Sequence, residues 1–484
     1  MDVYGDFDVV VCGGGSSGVS AAIAAARTGA RAVLIERLGS LGGQMTVSGP
    51  PGFAYAHMFN NAGEEIIGGL LKETHHRLLA EGHALPYPNP EEGAMYSFAF
   101  VDPDWWELVI FEMLQESGVK LLLHSLVVDV VKQGDAVRGV VVENTSGRQA
   151  VLGKVVIDCT GEGDVASRAG APFEHVGKGD PYPIEPPSLA FTMDGIDWDE
   201  LFAYVQANAD EMAVISPGLK TPPEKIARVA ARIRTMSSWR ELVALGSLCF
   251  HAISEQAVAN GDYHPYGDLG FYFTPREGGV VQAIFQHSAQ VADSDCTDVD
   301  EMTAAEIEAR RQMAIAIRAA RKYLPGFGHA YVTRTTTELR IRETRRILCD
   351  YQITWDDANA GRKFPDVIGK CAMEVGSRHV ATIDTLGLYA CGQTQIPDGG
   401  SFDIPYRSLV PRDVEGMLVA GKMISATREA SMRFLPETME TGQAAGVAAA
   451  LCSQIGTTPR ALESDVAQIQ TVLRGQGVIL TGTH

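Results

Sequence analysis

A chain of 484 residues, 45% hydrophobic and 21% charged, has ordinary globular composition and the length of two or three domains. Its 60 acidic and 40 basic side chains give a formal charge of −20, which argues against a broad nucleic-acid or anionic-membrane surface built on Lys and Arg. The eight cysteines contain no C-x-x-C pair, so an iron–sulfur ladder, a zinc ribbon and a redox dithiol are not indicated, and most are expected as buried small hydrophobes.

The chain opens with an apolar strand, Val9-Val10-Val11, running into Cys12-Gly13-Gly14-Gly15-Ser16-Ser17-Gly18. Gly13 and Gly15 let the backbone turn tightly and approach a pyrophosphate, and Gly18 lets the next helix sit close to its strand. Residues 17–27 are Ala-rich and helix-forming, Gly29 is placed to end that helix, and residues 31–36 read as a second buried strand. That strand closes on Glu36, 23 positions after Gly13, near the spacing of about 20 expected for the acid that holds an adenosine ribose. A dinucleotide pocket is the prediction. The acidic N-terminus enters its strand without a basic segment or apolar signal core, and no apolar run approaches the roughly 20 residues of a membrane span. A cytoplasmic location is expected.

Gly42-Gly43 precedes a stretch rich in Gly, Pro, Tyr and His, about 47–100, read as an insertion over the cofactor. Asp102 is suited to cap a helix through Trp105, Leu108, Val109, Phe111 and Leu114. Strands follow at 120–124, 126–132 and 136–143, with turn signals at 133–135 and 146–147, which suggest a small antiparallel sheet inserted in the first domain. A buried strand at 155–158 delivers Cys159-Thr160-Gly161-Glu162-Gly163-Asp164 at its C-terminal end, where ligands sit in open parallel sheets. From 168 to 371 the patterns are mixed and Pro-rich, and this span is read as a substrate or cap domain with helices near 223–237 and 303–322. The first domain then resumes over 372–455, with a strand at 417–420 and an Ala-rich helix at 437–452, before a tail at 456–484. The fold class expected is α/β: a Rossmann-like domain from residues 1–167 and 372–455, plus a mixed α+β cap.

These motifs resemble the FAD-dependent oxidoreductases of the glutathione-reductase-like superfold, which are distantly similar to fumarate reductase flavoproteins. The resemblance rests on Gly13-x-Gly15-x-x-Gly18, Glu36-Arg37, Gly42-Gly43, the 157–164 segment, Arg342-Glu-Thr-Arg-Arg346, Ile404-Pro-Tyr-Arg-Ser-Leu-Val-Pro411, Met417-Leu-Val-Ala-Gly421 and Thr441-Gly-Gln-Ala-Ala-Gly446. It implies FAD, with Gly13, Gly15, Ser17 and Gly18 on the pyrophosphate and Glu36 with Arg37 on the adenosine. It further implies Gly43 and Gln44 near the flavin, Thr160 and Gly161 at the adenine half, and Gly421, Gly442 and Gln443 at the ribityl chain and pyrimidine ring. A helix starting near 437–442 would aim its positive end at the flavin N1 and O2 edge and stabilise the reduced anion. The family often has His after Ser-Ala-Thr, where this chain has Arg428. The loop before Gly42 lacks the His used for covalent attachment in fumarate reductase relatives, so FAD is expected to be non-covalent, with His57 and Cys12 as the exceptions considered.

One dinucleotide fingerprint and no C-x-x-C argue against a disulfide reductase, and Gly421-Lys422 replaces the late Gly-Asp pair of aromatic hydroxylases. What remains is a dehydrogenase or oxidase taking hydride from a small polar substrate, with electrons passed to oxygen or an external acceptor. The alternatives are a reductase of an activated double bond, a flavin monooxygenase, a flavin-dependent RNA-modifying protein and a non-catalytic flavin-binding partner. Candidates for the chemistry are His379, Tyr406, Arg407 and Arg433: a proton carrier near neutral pH and bidentate clamps for a carboxylate. Arg340, Arg342, Glu343, Arg345 and Arg346 are expected to form ion pairs joining cap to FAD domain. His75, His76 and His251 are expected in helix or core surroundings, and no metal-spaced set is visible. The partners expected are a polar small molecule and, at most, further copies of this chain.

Overall fold

The computed structural model describes residues 1–49, 55–56, 58–86, 98–175, 184–213, 223–372, 377–378, 389–390, 396–430 and 432–482. The first half builds β1 (Asp2–Cys12), α1 (Ser16–Arg27), β2 (Ala32–Ile35), α2 (Gly69–Ala80), α3 (Pro103–Glu116), β3 (Lys120–Leu122), β4 (Leu126–Gln133), β5 (Ala136–Asn144), β6 (Gly147–Asp158) and the short α4 (Asp164–Ala169). β3, β2, β1 and β6 lie side by side and parallel, the arrangement favoured when both faces of a sheet are covered. Val9, Val10 and Val11 are fully buried, as a central strand requires.

β4 and β5 form an antiparallel hairpin that is hydrogen-bonded onto the same sheet through the first half of β6. The second half of β6 instead accepts β14 (Met417–Val419) from the far end of the chain, in parallel register Met417↔Val156. One strand therefore carries the splice between the two chain ends. Asp102 caps α3 by accepting from the Asp104 and Trp105 N–H groups, and the Trp106 side chain is fully buried.

The middle of the chain forms an antiparallel sheet in the order β8 (Ser247–Leu248), β9 (Phe271–Pro275), β10 (Val281–Phe285), β7 (Phe191–Asp194), β11 (Tyr331–Thr335). Around it lie α5 (Trp198–Ala207), α6 (His251–Ala259) and the long α7 (Val299–Tyr323), whose Asp298 cap accepts two leading N–H groups. Two hydrophobic clusters result. One runs from Leu189 to Leu339; the other holds residues up to Ala171 and resumes at Ile347, earlier than the sequence boundary at 372. The antiparallel pair β12 (Val367–Cys371) and β13 (Phe402–Pro405) lies in the latter.

The helix α8 (Leu435–Ile455) crosses α1 in close contact. A Cβ on Gly442 would run into the Ser17 carbonyl and one on Gly446 into that of Ala21, so glycine permits this crossing. No helix among the described residues is long and apolar enough to cross a membrane.

Candidate active site

The turn after β1 places Gly13 at φ +99, where a Cβ would stand 2.5 Å from the Cys159 carbonyl oxygen. A Cβ on Gly18 would run into the Gly13 carbonyl. Gly15 differs: a Cβ there meets no protein atom within 4 Å. It borders a cavity of about 480 Å³ instead. α1 starts beside it with no side-chain cap and no acid in its first turn, so its leading N–H groups and positive dipole end are offered to an anion. Glu36 closes β2, its two carboxylate oxygens accepting Gly14 N at 2.7 Å and Leu38 N at 2.9 Å, and it also lines the cavity. These bonds fix the carboxylate and leave lone pairs for further hydroxyls.

Across the cavity, Thr160 and Gly161 follow the end of β6. Asp158 holds that turn: it accepts Thr160 Oγ1 at 2.7 Å and Ala166 N at 2.8 Å, and burial raises its pKa. Lys422 Nζ donates to Glu162 Oε1 and to the Ile341 carbonyl, both at 2.7 Å, while Gln44 donates to the same carbonyl and Arg37 pairs with Glu338. The segment 338–341 is thus fastened to the loops after β2, β6 and β14. Ser16 and Thr438 share a hydrogen bond of 2.8 Å, linking the starts of α1 and α8.

The cavity wall beyond α8 is cationic. Arg340 and Arg433 both line it, with Arg342 buried behind. Arg340 Nη1 donates to Gln286 Oε1 at 2.6 Å, but its buried Nε has no partner. Arg342 donates to the Pro186 carbonyl and stands 3.6 Å from Glu185, and its buried Nη2 has no partner. Arg433 pairs with the same Glu185. Burial, with Arg342 and Arg433 nearby, pushes Arg340 down to about 9, and burial lowers Arg342 to about 10. Among the described residues, Glu185 is the carboxylate paired with this set, so three guanidiniums meet one carboxylate.

The sequence profile of a family described as FAD dependent oxidoreductase matches residues 8–473. The chain belongs to this family. FAD is its cofactor, and the site fits it: a glycine edge open to the cavity, an uncapped helix start and a fixed carboxylate at the end of β2 suit a pyrophosphate and a ribose. Solved structures similar to this chain include a geranylgeranyl bacteriochlorophyll reductase-like protein from Thermoplasma acidophilum, at 12% identity and TM-score 0.44, covering 97% of this chain and 82% of that one. An anhydrotetracycline hydroxylase from Streptomyces rimosus matches at 15% identity and TM-score 0.41, covering 98% and 69%. A Diels-Alderase of the pyrroindomycin pathway matches at 14% identity and TM-score 0.45, covering 97% and 72%.

The structure gathers Gly13, Gly15, Ser17, Glu36, Arg37, Gly43, Gln44, Thr160, Gly161, Gly421 and Arg433 around this flavoenzyme's cavity. Of the other predicted residues that are described, Gly18, Tyr406, Arg407, Gly442 and Gln443 do not line it. Tyr406 is fully buried with its hydroxyl donating to the Pro459 carbonyl at 3.0 Å, and Arg407 is held by Asp366 at 2.9 Å and lies over the Tyr351 ring. Neither lines the cavity, because in the turn after β13 Tyr406 is directed to Pro459 and Arg407 to Asp366 instead. Gly18 and Gly442 serve helix packing. Gln443 accepts Leu70 N at 3.0 Å and donates to Gln476 at 3.0 Å, which ties α2 to the C-terminal segment. His379 and His57 lie outside the described residues, and Cys12 is buried, its thiol pushed up by burial.

Part of the arginine cluster does form ion pairs: Arg346 and Arg428 with Glu343, and Arg345 with Asp164. Arg342 also pairs, with Glu185 at 3.6 Å, whereas Arg340 departs from that expectation: it donates to Gln286 and keeps an unbonded Nε. Sequence reasoning missed Lys422 as a tie and Arg340 as a wall residue. The signal available was an Arg-x-Arg pair at the exit of a cap strand.

Proposed function

We propose that this enzyme takes hydride from a small organic substrate bearing a carboxylate, and passes the electrons on to oxygen or an external acceptor. The carrying observation is the arginine set at the cavity: Arg340 and Arg433 line it with Arg342 behind, Arg340 Nε and Arg342 Nη2 are unbonded, and among the described residues Glu185 is the carboxylate paired with Arg342 and Arg433. Orphaned buried N–H groups cost about 1–3 kcal/mol each, more when charged, and an anion seated against them removes that cost.

FAD supplies the hydride acceptor. The protein does the rest. Arg433 and Arg340 bind and orient the carboxylate, held in place by Glu185 and Gln286. Their low-dielectric setting strengthens the contact relative to water. The start of α8 places its positive dipole end at the cavity through Phe434, Leu435 and Thr438, and this favours negative charge developing there. His379 remains our candidate to carry the proton.

The test is kinetic. Arg433→Ala and Arg340→Ala should each raise KM for the substrate by about 10- to 100-fold, the loss of a charged hydrogen bond, with FAD content retained. Arg407→Ala, remote from the cavity, should leave KM unchanged. A KM that ignores Arg433 and Arg340 would remove the anion clamp from the mechanism.

A further inference from the structure

Away from the flavin cavity, the cap sheet holds three metal-ligating side chains facing one another. Cys249 follows β8, His251 is the first residue of α6, and Asp268 lies in the loop before β9. The pairing Leu248↔Phe271 brings the end of β8 beside that loop. Gly270 lets the two backbones close, since a Cβ there would stand 3.3 Å from Cys249 Cα and 2.8 Å from Asp268 Oδ1. As a result the Cys249 sulfur, a His251 ring nitrogen and an Asp268 carboxylate oxygen all lie within 4.8 Å of one another.

Their bonding state is unusual. Both His251 ring nitrogens are buried and neither has a hydrogen-bond partner. Cys249 is a free thiol, and Asp268 is 8% exposed, with Oδ1 accepting Gly270 N at 2.8 Å. Buried polar atoms are nearly always satisfied, so an imidazole orphaned between a thiol and a carboxyl needs an occupant. The loop is also held firmly: the Asp268 carbonyl accepts Tyr263 Oη at 3.1 Å and Ser288 Oγ at 2.6 Å, and Leu269 N donates to Ser254 Oγ at 3.0 Å. Such outer contacts orient metal ligands.

We infer that Cys249, His251 and Asp268 bind a Zn²⁺ ion, with a water in the fourth position. One sulfur, one nitrogen and one oxygen donor suit zinc and not the oxygen-seeking Mg²⁺ or Ca²⁺. Three protein ligands leave a tetrahedral ion one open position. Binding releases the Cys249 proton to solvent and draws the ligand atoms together. The ion pins α6 to the loop entering β9. The site lies in the cap beside Tyr272, a half-buried side chain within electrostatic reach of Cys249, Asp268, Arg340 and Arg342.

The experiment uses the FAD-loaded full-length chain. Zinc is stripped with a chelator, the protein is titrated with Zn²⁺ against a chromophoric competitor, and bound metal is measured by mass spectrometry. One equivalent should bind, and Cys249→Ser and His251→Gln should each weaken it by about 100-fold or more, with the flavin spectrum unchanged. Cobalt loaded into the unaltered chain should show a thiolate-to-metal charge-transfer band, a readout that holds even where a variant fails to fold. Absence of stoichiometric zinc uptake, uptake indifferent to Cys249→Ser, or a cobalt spectrum without the thiolate band would each overturn the assignment.

Discussion

Glu437 sits in the first turn of α8 with its carboxyl wholly buried; Oε1 accepts the Cys371 thiol at 3.4 Å and Oε2 has no partner. Burial pushes its pKa up to about 7. A carboxyl raised in the folded state contributes stability that is fully present below its unfolded pKa of about 4.5 and lost as pH rises through about 7. Comparing urea unfolding at pH 5 and pH 8, both flavin-saturated, wild type should lose about 2 to 3 kcal/mol more than Glu437→Gln. Equal losses in the two proteins would show that Glu437 carries no such linkage. Cys296 gives a second residue-scale expectation. It lines the cavity, yet burial first, and the negative Glu162 next, push its thiol up to about 12. It should therefore resist alkylation at pH 8, when a reactive thiolate would be labelled within minutes; peptide mapping after iodoacetamide decides.

At the scale of elements, two glycines of similar appearance have opposite jobs. Gly446 lets α8 rest on α1, and Gly446→Ala would drive a methyl into the Ala21 carbonyl. A loss of about 1–3 kcal/mol is expected, seen as a lower Tm with and without FAD. Gly15→Ala adds its methyl to open cavity, so the apo protein should keep its Tm while FAD affinity falls at least about tenfold. Equal effects of the two substitutions would contradict the division between packing and cradle. The elements themselves were largely legible. β1, α1, β2 and the capped α3 follow from local rules: apolar runs, alanine-rich spacing, Asp102 as cap. The hairpin of β4 and β5 was read from its turns, but not its attachment to the main sheet, because strand pairing is a long-range choice. Side-chain direction was harder still. Tyr406 and Arg407 lie in a motif of the resembled family, yet their aim depends on β13 packing against β12 and on Asp366 reaching Arg407, partners distant in sequence.

On the scale of the whole molecule, the cavity lies where the two hydrophobic clusters meet. Its FAD-side walls come from loops after β1, β2 and β6, and its far wall from residues 296–306 and 338–341 of the cap. The glycine and carboxylate half was legible because a phosphate cradle is written in consecutive residues. The arginine half was visible as composition alone: Arg340 and Arg342 were read as ion pairs, and only folding reveals that, among the described residues, Arg342 shares Glu185 with Arg433 while Arg340 turns to Gln286. The same limit hid Cys249, His251 and Asp268, which the β8–β9 pairing joins. A chain of net charge −20 thus keeps a buried cationic wall beside its flavin site. The most direct measurement of that account is anaerobic reduction of the FAD-loaded protein, followed by absorbance, with a panel of small carboxylates and their carboxamides. The account predicts that a carboxylate bleaches the flavin, that its carboxamide does so at least about tenfold less effectively, and that readmitted oxygen or an added acceptor restores the colour. Reduction by carboxamides as readily as by carboxylates, or by a nicotinamide and no organic substrate, would contradict it.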